Sequence, residues 1–121
     1  MGADRVAEWL PPLMAAVRDA GHPVIWLCDP MHGNTRRGPM GRKTRLLTSI
    51  KREVELFQEV AAAEHVVAGG LHLEATPENV GECVADESCL DDLLDPLGYT
   101  TLCDPRLNTD QAVAVVSAWH R

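Results

Sequence analysis

VIWLCDPMHGNT, Val24 to Thr35, runs an apolar segment straight into a loop of unusual composition. Its first five residues, VIWLC, are β-rich and unbroken by polar side chains, as in a strand buried on both faces of a parallel sheet. A thiol, a carboxylate and a proline then close the strand and open a loop. CDPRLNT, Cys103 to Thr109, nearly repeats that loop. The first copy follows its strand directly, whereas the second lies far along a loop from the nearest strand. Duplicated units would keep one spacing, so two loops converging on one site is the better reading.

Outward from this stretch, apolar residues mark the other elements. Val6, Trp9, Leu10, Leu13, Met14 and Val17 recur at helical spacing between Asp4 and Ala20. Pro11 and Pro12 interrupt them, which predicts a short turn and a main helix starting near Pro12, stopped at Gly21. A glycine-rich basic loop runs on to Gly41. Leu47, Ile50, Val54, Phe57 and Ala61 predict a helix within Thr44 to Ala63. Val66 to Glu74 reads as a second strand, and Pro77 to Leu97 as a polar loop with room for a short helix. Asn108 and Gln111 form a capping pair ahead of a last helix with Ala112, Val115, Val116 and Trp119 on its apolar face. Helix, strand, helix, strand, helix is an α/β order with parallel strands.

The 121 residues make one ordinary domain, with 18 acidic against 11 basic residues and a net charge of -7. That balance argues against a nucleic-acid partner. The basic residues nevertheless cluster: Arg36, Arg37, Arg42, Lys43 and Arg45 flank the glycines, where anion binding competes with simple solvation. No apolar run approaches the roughly 20 residues that span a bilayer. The N-terminus has no charged-then-apolar leader, and cysteines 28, 83, 89 and 103 fit no zinc-finger spacing. The expectation is a cytoplasmic chain with reduced thiols and no membrane partner.

Side chains alternate along a strand, so His72 and Glu74 share one face of the second strand. A carboxylate at a buried strand end needs a partner. His32 and Asp104, in the two CDP loops, are the candidates. One imidazole and two carboxylates suit Mn²⁺, Fe²⁺, Co²⁺ or Zn²⁺. The alternatives stay open at this level: His32 bracing a turn, Asp29 and Asp104 starting turns, Glu74 paired with an arginine. Cys28 and Trp26 read as core. Cys103, beside Asp104, is a ligand, a redox group or an inert thiol.

MGADRVAEWLPP, VIWLCDPMHGNT, GRKTR, GGLHLEATPENVGEC and YTTLCDPRLNTDQA together resemble the C-terminal portion of type II 3-deoxy-D-arabino-heptulosonate 7-phosphate (DAHP) synthases, from Met1 to about Trp119. The resemblance implies a fragment of a (β/α)₈ TIM barrel, its last two βα units and a preceding helix. It further implies condensation of phosphoenolpyruvate with erythrose 4-phosphate at a divalent metal, often Mn²⁺, held by a histidine, a glutamate, an aspartate and a cysteine. The matching motifs put the first three at His32, Glu74 and Asp104. The metal-binding cysteine of that family has no counterpart here. Cys103 matches a different one, which pairs with it in some relatives.

A complete barrel takes about 250 residues, so most of the strands and substrate arginines of such a synthase lie outside this sequence. Residues 1–121 are therefore expected to form a single partial-barrel domain completed by self-association, as a dimer or tetramer. The expected function is a metal-dependent enzyme acting on a small oxo-acid or phosphorylated carbonyl substrate, by analogy in a specialised biosynthetic pathway. Arg36, Arg37, Arg42, Arg45 and Arg106 would bind substrate, with His72 and Lys43 catalytic. The alternative is a non-catalytic accessory or regulatory partner of a full-length synthase.

Overall fold

The computed structural model describes residues 1–120. Three helices, α1 (Val6–Asp19), α2 (Leu47–Ala63) and α3 (Thr109–Val116), accompany four strands, β1 (Ile25–Cys28), β2 (Arg36–Arg37), β3 (Lys43–Thr44) and β4 (Val67–Leu71). The chain is mixed α/β with small sheets. β1 and β4 pair in parallel, with an irregularity after Trp26 where Gly69 has no partner in the ladder. A Cβ at Gly69 would lie 2.2 Å from Ile25 Cγ2, so the irregular register depends on glycine there. β2 and β3 form a separate antiparallel hairpin.

The apolar periodicity of α1 and α2 turns into one core. Leu10 and Met14 of α1 meet Ile50, Val54 and Phe57 of α2 over the inner face of β1 and β4, with Val115 closing from α3. Burial of these apolar side chains dominates the stability, each worth about 1.5–3 kcal/mol.

Several local expectations differ from the structure. The first helix begins at Val6 and passes through Pro11 and Pro12 without a separate turn. Val6 and Leu10 lie buried on the same face as Met14, so packing carries the helix past two missing amide donors. The basic loop contains the β2–β3 hairpin, whose two-residue strands are too short to carry a periodic signal.

β1 is buried on one face only: Cys28 is 3% exposed, but Ile25 and Leu27 are 70% and 61% exposed. Both long helices pack on the inner side, and nothing among the described residues covers the other. Trp26, expected in the core, is only partly buried against it.

The ladder continues beyond the named strands and positions the loops. His72 N donates to Cys28 O at 2.8 Å, tying the end of β4 to that of β1. Leu107 N donates to Glu74 O at 3.0 Å and Thr76 N to Leu107 O at 2.9 Å, a parallel bridge between Ala75 and Leu107. The second CDP loop thus lies beside the extension of β4, and the first hangs from β1. No helix among the described residues is long and apolar enough to cross a membrane.

Candidate metal centre

Asp29 shapes the first CDP loop. Its Oδ1 accepts from Met31 N at 3.0 Å and His32 N at 3.3 Å, the local turn that aspartate before proline favours. Its Oδ2 lies 2.7 Å from His32 Nδ1. Burial pushes the Asp29 pKa up, but the hydrogen bonds from Met31 and from the ring and backbone of His32 outweigh it, leaving the carboxyl below its ordinary range. A proton on Nδ1 aimed at Asp29 leaves Nε2 as the free acceptor nitrogen, the tautomer a ligating histidine takes. Nε2 sits 3.8 Å from Glu74 Oε1.

The polypeptide behind this loop is tightly held. Glu53 of α2, 3% exposed, accepts from Gly2 N at 3.1–3.2 Å, from Asn34 Nδ2 at 2.7 Å and from the amino group of Met1 at 3.1 Å. Asn34 Nδ2 also donates to Pro30 O at 2.8 Å. A Cβ on Gly33 would lie 2.2 Å from Gly2 N, so this close approach needs glycine.

Glu82 does the same for the second CDP loop. It is 1% exposed and accepts from Thr100 N (2.9 Å), Thr101 N (2.8 Å) and Arg106 N (2.7 Å). Neither glutamate announces itself in sequence: Glu53 lies among helical charges and Glu82 in an acidic run.

Between the loops, one ligand atom each from His32, Glu74 and Asp104 lies within 4.8 Å of the others. Ligands on one ion stand about 3–4 Å apart, since each bond is about 2.0–2.3 Å, so a shift of under about 1 Å closes the set. Glu74 Oε2 is buried without a hydrogen-bond donor. Arg45 Nη1 is 2.7 Å from it, near enough for charge attraction but not aligned for a hydrogen bond. An imidazole and two carboxylates within this reach match the donor set of a divalent cation.

Cations already surround the carboxylates. Arg45 is fully buried, donating Nε to Thr35 Oγ1 (2.9 Å) and Nη1 to Pro105 O (2.6 Å). Arg106 Nη1 stands 3.0 Å from Glu74 Oε1 and donates to Asp104 O at 2.7 Å. Lys43 Nζ donates to Asp104 Oδ1 at 2.9 Å, and that bond holds the Asp104 carboxyl below its ordinary pKa. So two of the alternatives open in the sequence coexist with the cluster: Glu74 is paired with arginines, and Asp29 starts a turn that His32 braces.

Arg36, Arg37 and Arg42 are engaged elsewhere. Arg36 pairs with Glu87, Arg37 donates to Gly41 O, and Arg42 donates to Leu93 O and lies over Tyr99. His72 is exposed, and no side-chain hydrogen bond or ion pair links it to the cluster among the described residues. Cys103 is exposed beside Arg106, with Nη2 at 3.5 Å from its sulfur. Hydrogen bonds from the Asp104 backbone and the Thr101 hydroxyl, with the nearby guanidinium, lower its pKa.

Residues 1–118 match the Class-II DAHP synthetase family. A probable phospho-2-dehydro-3-deoxyheptonate aldolase of Pseudomonas fluorescens is 51% identical over 119 residues, which are 98% of this chain and 29% of that protein. Phospho-2-dehydro-3-deoxyheptonate aldolase AroG of Mycolicibacterium smegmatis is 46% identical over 113 residues, 93% of this chain and 24% of that protein. The chain thus spans 24–29% of these relatives' length, and the motifs around its two CDP loops lie within the matched region. It belongs to the class-II DAHP synthetase family.

Proposed function

We propose that residues 1–121 form one partial-barrel unit that binds a divalent metal through His32, Glu74 and Asp104 and acts on a small oxo-acid or phosphorylated carbonyl compound. Mn²⁺ suits the two carboxylates and single imidazole best, with Fe²⁺, Co²⁺ and Zn²⁺ as competitors. The observation that carries the reading is the convergence of the three ligand atoms within 4.8 Å, with the His32 ring already oriented by Asp29. The metal would supply Lewis acidity toward a carbonyl, as needed for enolisation, cyclisation or aldol-type carbon–carbon bond formation.

The protein's own groups supply the rest. Asp29 fixes the His32 tautomer, and Arg45 neutralises Glu74 from a buried position that no substrate reaches. Arg106 and Lys43 can hold a carboxylate or phosphate at the cluster. His72, exposed beyond β4, is available for proton transfer. Arg36, Arg37 and Arg42 would extend the anion-binding surface on releasing their present partners. A place in specialised biosynthesis, in the cytoplasm, rests on analogy alone.

The uncovered face of β1 and β4 supports a TIM-barrel fragment completed by further strands. The 121-residue chain expressed alone would complete it by self-association, as a dimer or tetramer. The same face favours a second reading, an accessory chain docked on a full-length synthase. Elemental analysis of the purified protein tests the first reading: about one Mn²⁺ per chain retained by wild type and lost in His32→Ala. A folded wild type that retains and takes up no metal refutes it, and co-purification with a full-length synthase would promote the second.

A further inference from the structure

We propose that Lys43 is a counter-ion gate: it holds Asp104 while no cation is bound and releases it when an anion takes the ammonium, so that cation and anion enter together. This rests on the metal reading of His32, Glu74 and Asp104 and adds a coupling that such a site does not require.

Charge balance motivates it. Asp29, Glu74 and Asp104 bring three negative charges to the cluster, and Arg45, Arg106 and Lys43 bring three positive ones. A divalent cation added to this balanced set leaves two positive charges in excess, in a partly desolvated place. A dianion, such as a phosphate group or an ionised phosphorylated acid, restores the balance.

Of the three cations only Lys43 is free to change partner. Arg45 has no exposed side-chain surface and is locked by Thr35 and Pro105. Arg106 is tied to the backbone of its own loop. Lys43 Nζ has one hydrogen bond among the described residues, to Asp104, and its side chain is 42% exposed. Its backbone is pinned by pairing with Arg37 and by the Tyr99 hydroxyl, which donates to Lys43 O at 2.7 Å. The flexible stem and compact charge can therefore swing while the strand stays put. An ion pair this exposed is weak enough to exchange.

Calorimetric titration with Mn²⁺, in chloride and in sulfate at equal ionic strength, tests the gate on wild type, Lys43→Gln and Lys43→Arg. In chloride, Lys43→Gln should bind Mn²⁺ about 3-fold or more tightly than wild type, because no ammonium competes for Asp104. Sulfate should tighten Mn²⁺ binding to wild type by a similar factor and leave Lys43→Gln nearly unchanged. Reciprocity then requires Mn²⁺ to raise the wild type's sulfate affinity equally. Lys43→Arg should follow wild type. Equal or weaker Mn²⁺ binding by Lys43→Gln, or a sulfate effect that survives in it, overturns the gate alone. A wild type that binds no Mn²⁺ overturns the metal reading and the gate with it.

Discussion

Arg45 shows how burial gives a residue a role its neighbours in sequence do not share. It stands in a basic run, yet it alone is fully enclosed, paired with Glu74 and hydrogen-bonded to Thr35 and Pro105. Arg45→Met should destabilise the fold by about 3 kcal/mol in urea titration, because the buried Oε2 of Glu74 loses the guanidinium beside it and Arg106 is the one arginine left. A loss under about 1 kcal/mol would mean that the pair is not desolvated. The cysteines separate in the same way. Burial pushes the Cys28 and Cys83 thiols up to about 12, whereas Cys103 is exposed and lowered. Iodoacetamide at pH 8 should modify Cys103 first and leave Cys28 and Cys83 unmodified in the native protein; labelling of Cys28 at a comparable rate contradicts this packing. The nearness of His32, Glu74 and Asp104 was legible, because alternation along the second strand and the two CDP loops put them at one end of the sheet, and one ligand atom of each lies within 4.8 Å of the others. Asp29 as the partner of the His32 ring, and Glu53 and Glu82 as buried loop anchors, were not. Their partners lie across the fold or depend on a side-chain orientation that no spacing encodes.

At the scale of elements, legibility follows length and capping chemistry. α2 was predicted from five apolar residues and forms over Leu47–Ala63. α3 is only 8 residues, but Asn108 and Gln111 make the reciprocal capping box expected of them. Asn108→Ala should cost about 1 kcal/mol, read as a fall in the denaturation midpoint without change in slope. An unchanged midpoint would mean that the bridge to Leu107, rather than the cap, sets the start of α3. Asp86 caps the 3-10 segment Glu87–Leu94, its carboxylate accepting from Ser88 N at 2.8 Å. The hydrogen bonds from the Ser88 side chain and backbone lower the Asp86 pKa. A depressed carboxylate stabilises fully above its unfolded pKa, about 3.9, and that contribution disappears as pH falls through the lower folded value. Amide exchange at Ser88 and Cys89 should therefore speed up, relative to the core, below about pH 4 in wild type. Asp86→Asn should show less of that acid dependence, and an identical profile would remove Asp86 from it. The β2–β3 hairpin and the continuous α1 were missed because packing and tertiary hydrogen bonds decide them.

For the molecule as a whole, the informative feature is the side of the sheet left open. VIWLC was read as a strand buried on both faces, a composition typical of a parallel sheet, and half of that burial is absent among the described residues. Ile25, Leu27 and Val67, each at least 60% exposed, mark the uncovered face. Sedimentation of the 121-residue chain should find dimers or tetramers, and Ile25→Lys with Leu27→Lys should shift them to monomers. Monodisperse wild-type monomer would contradict completion by self-association. Whether the two CDP loops and the end of β4 gather three ligands around one cation can be read directly in crystals grown with Mn²⁺. Anomalous scattering should give a single strong peak about 2.0–2.3 Å from His32 Nε2 and from oxygens of Glu74 and Asp104. A map without a peak among those three side chains, at Mn²⁺ concentrations that saturate binding in solution, would contradict the metal reading.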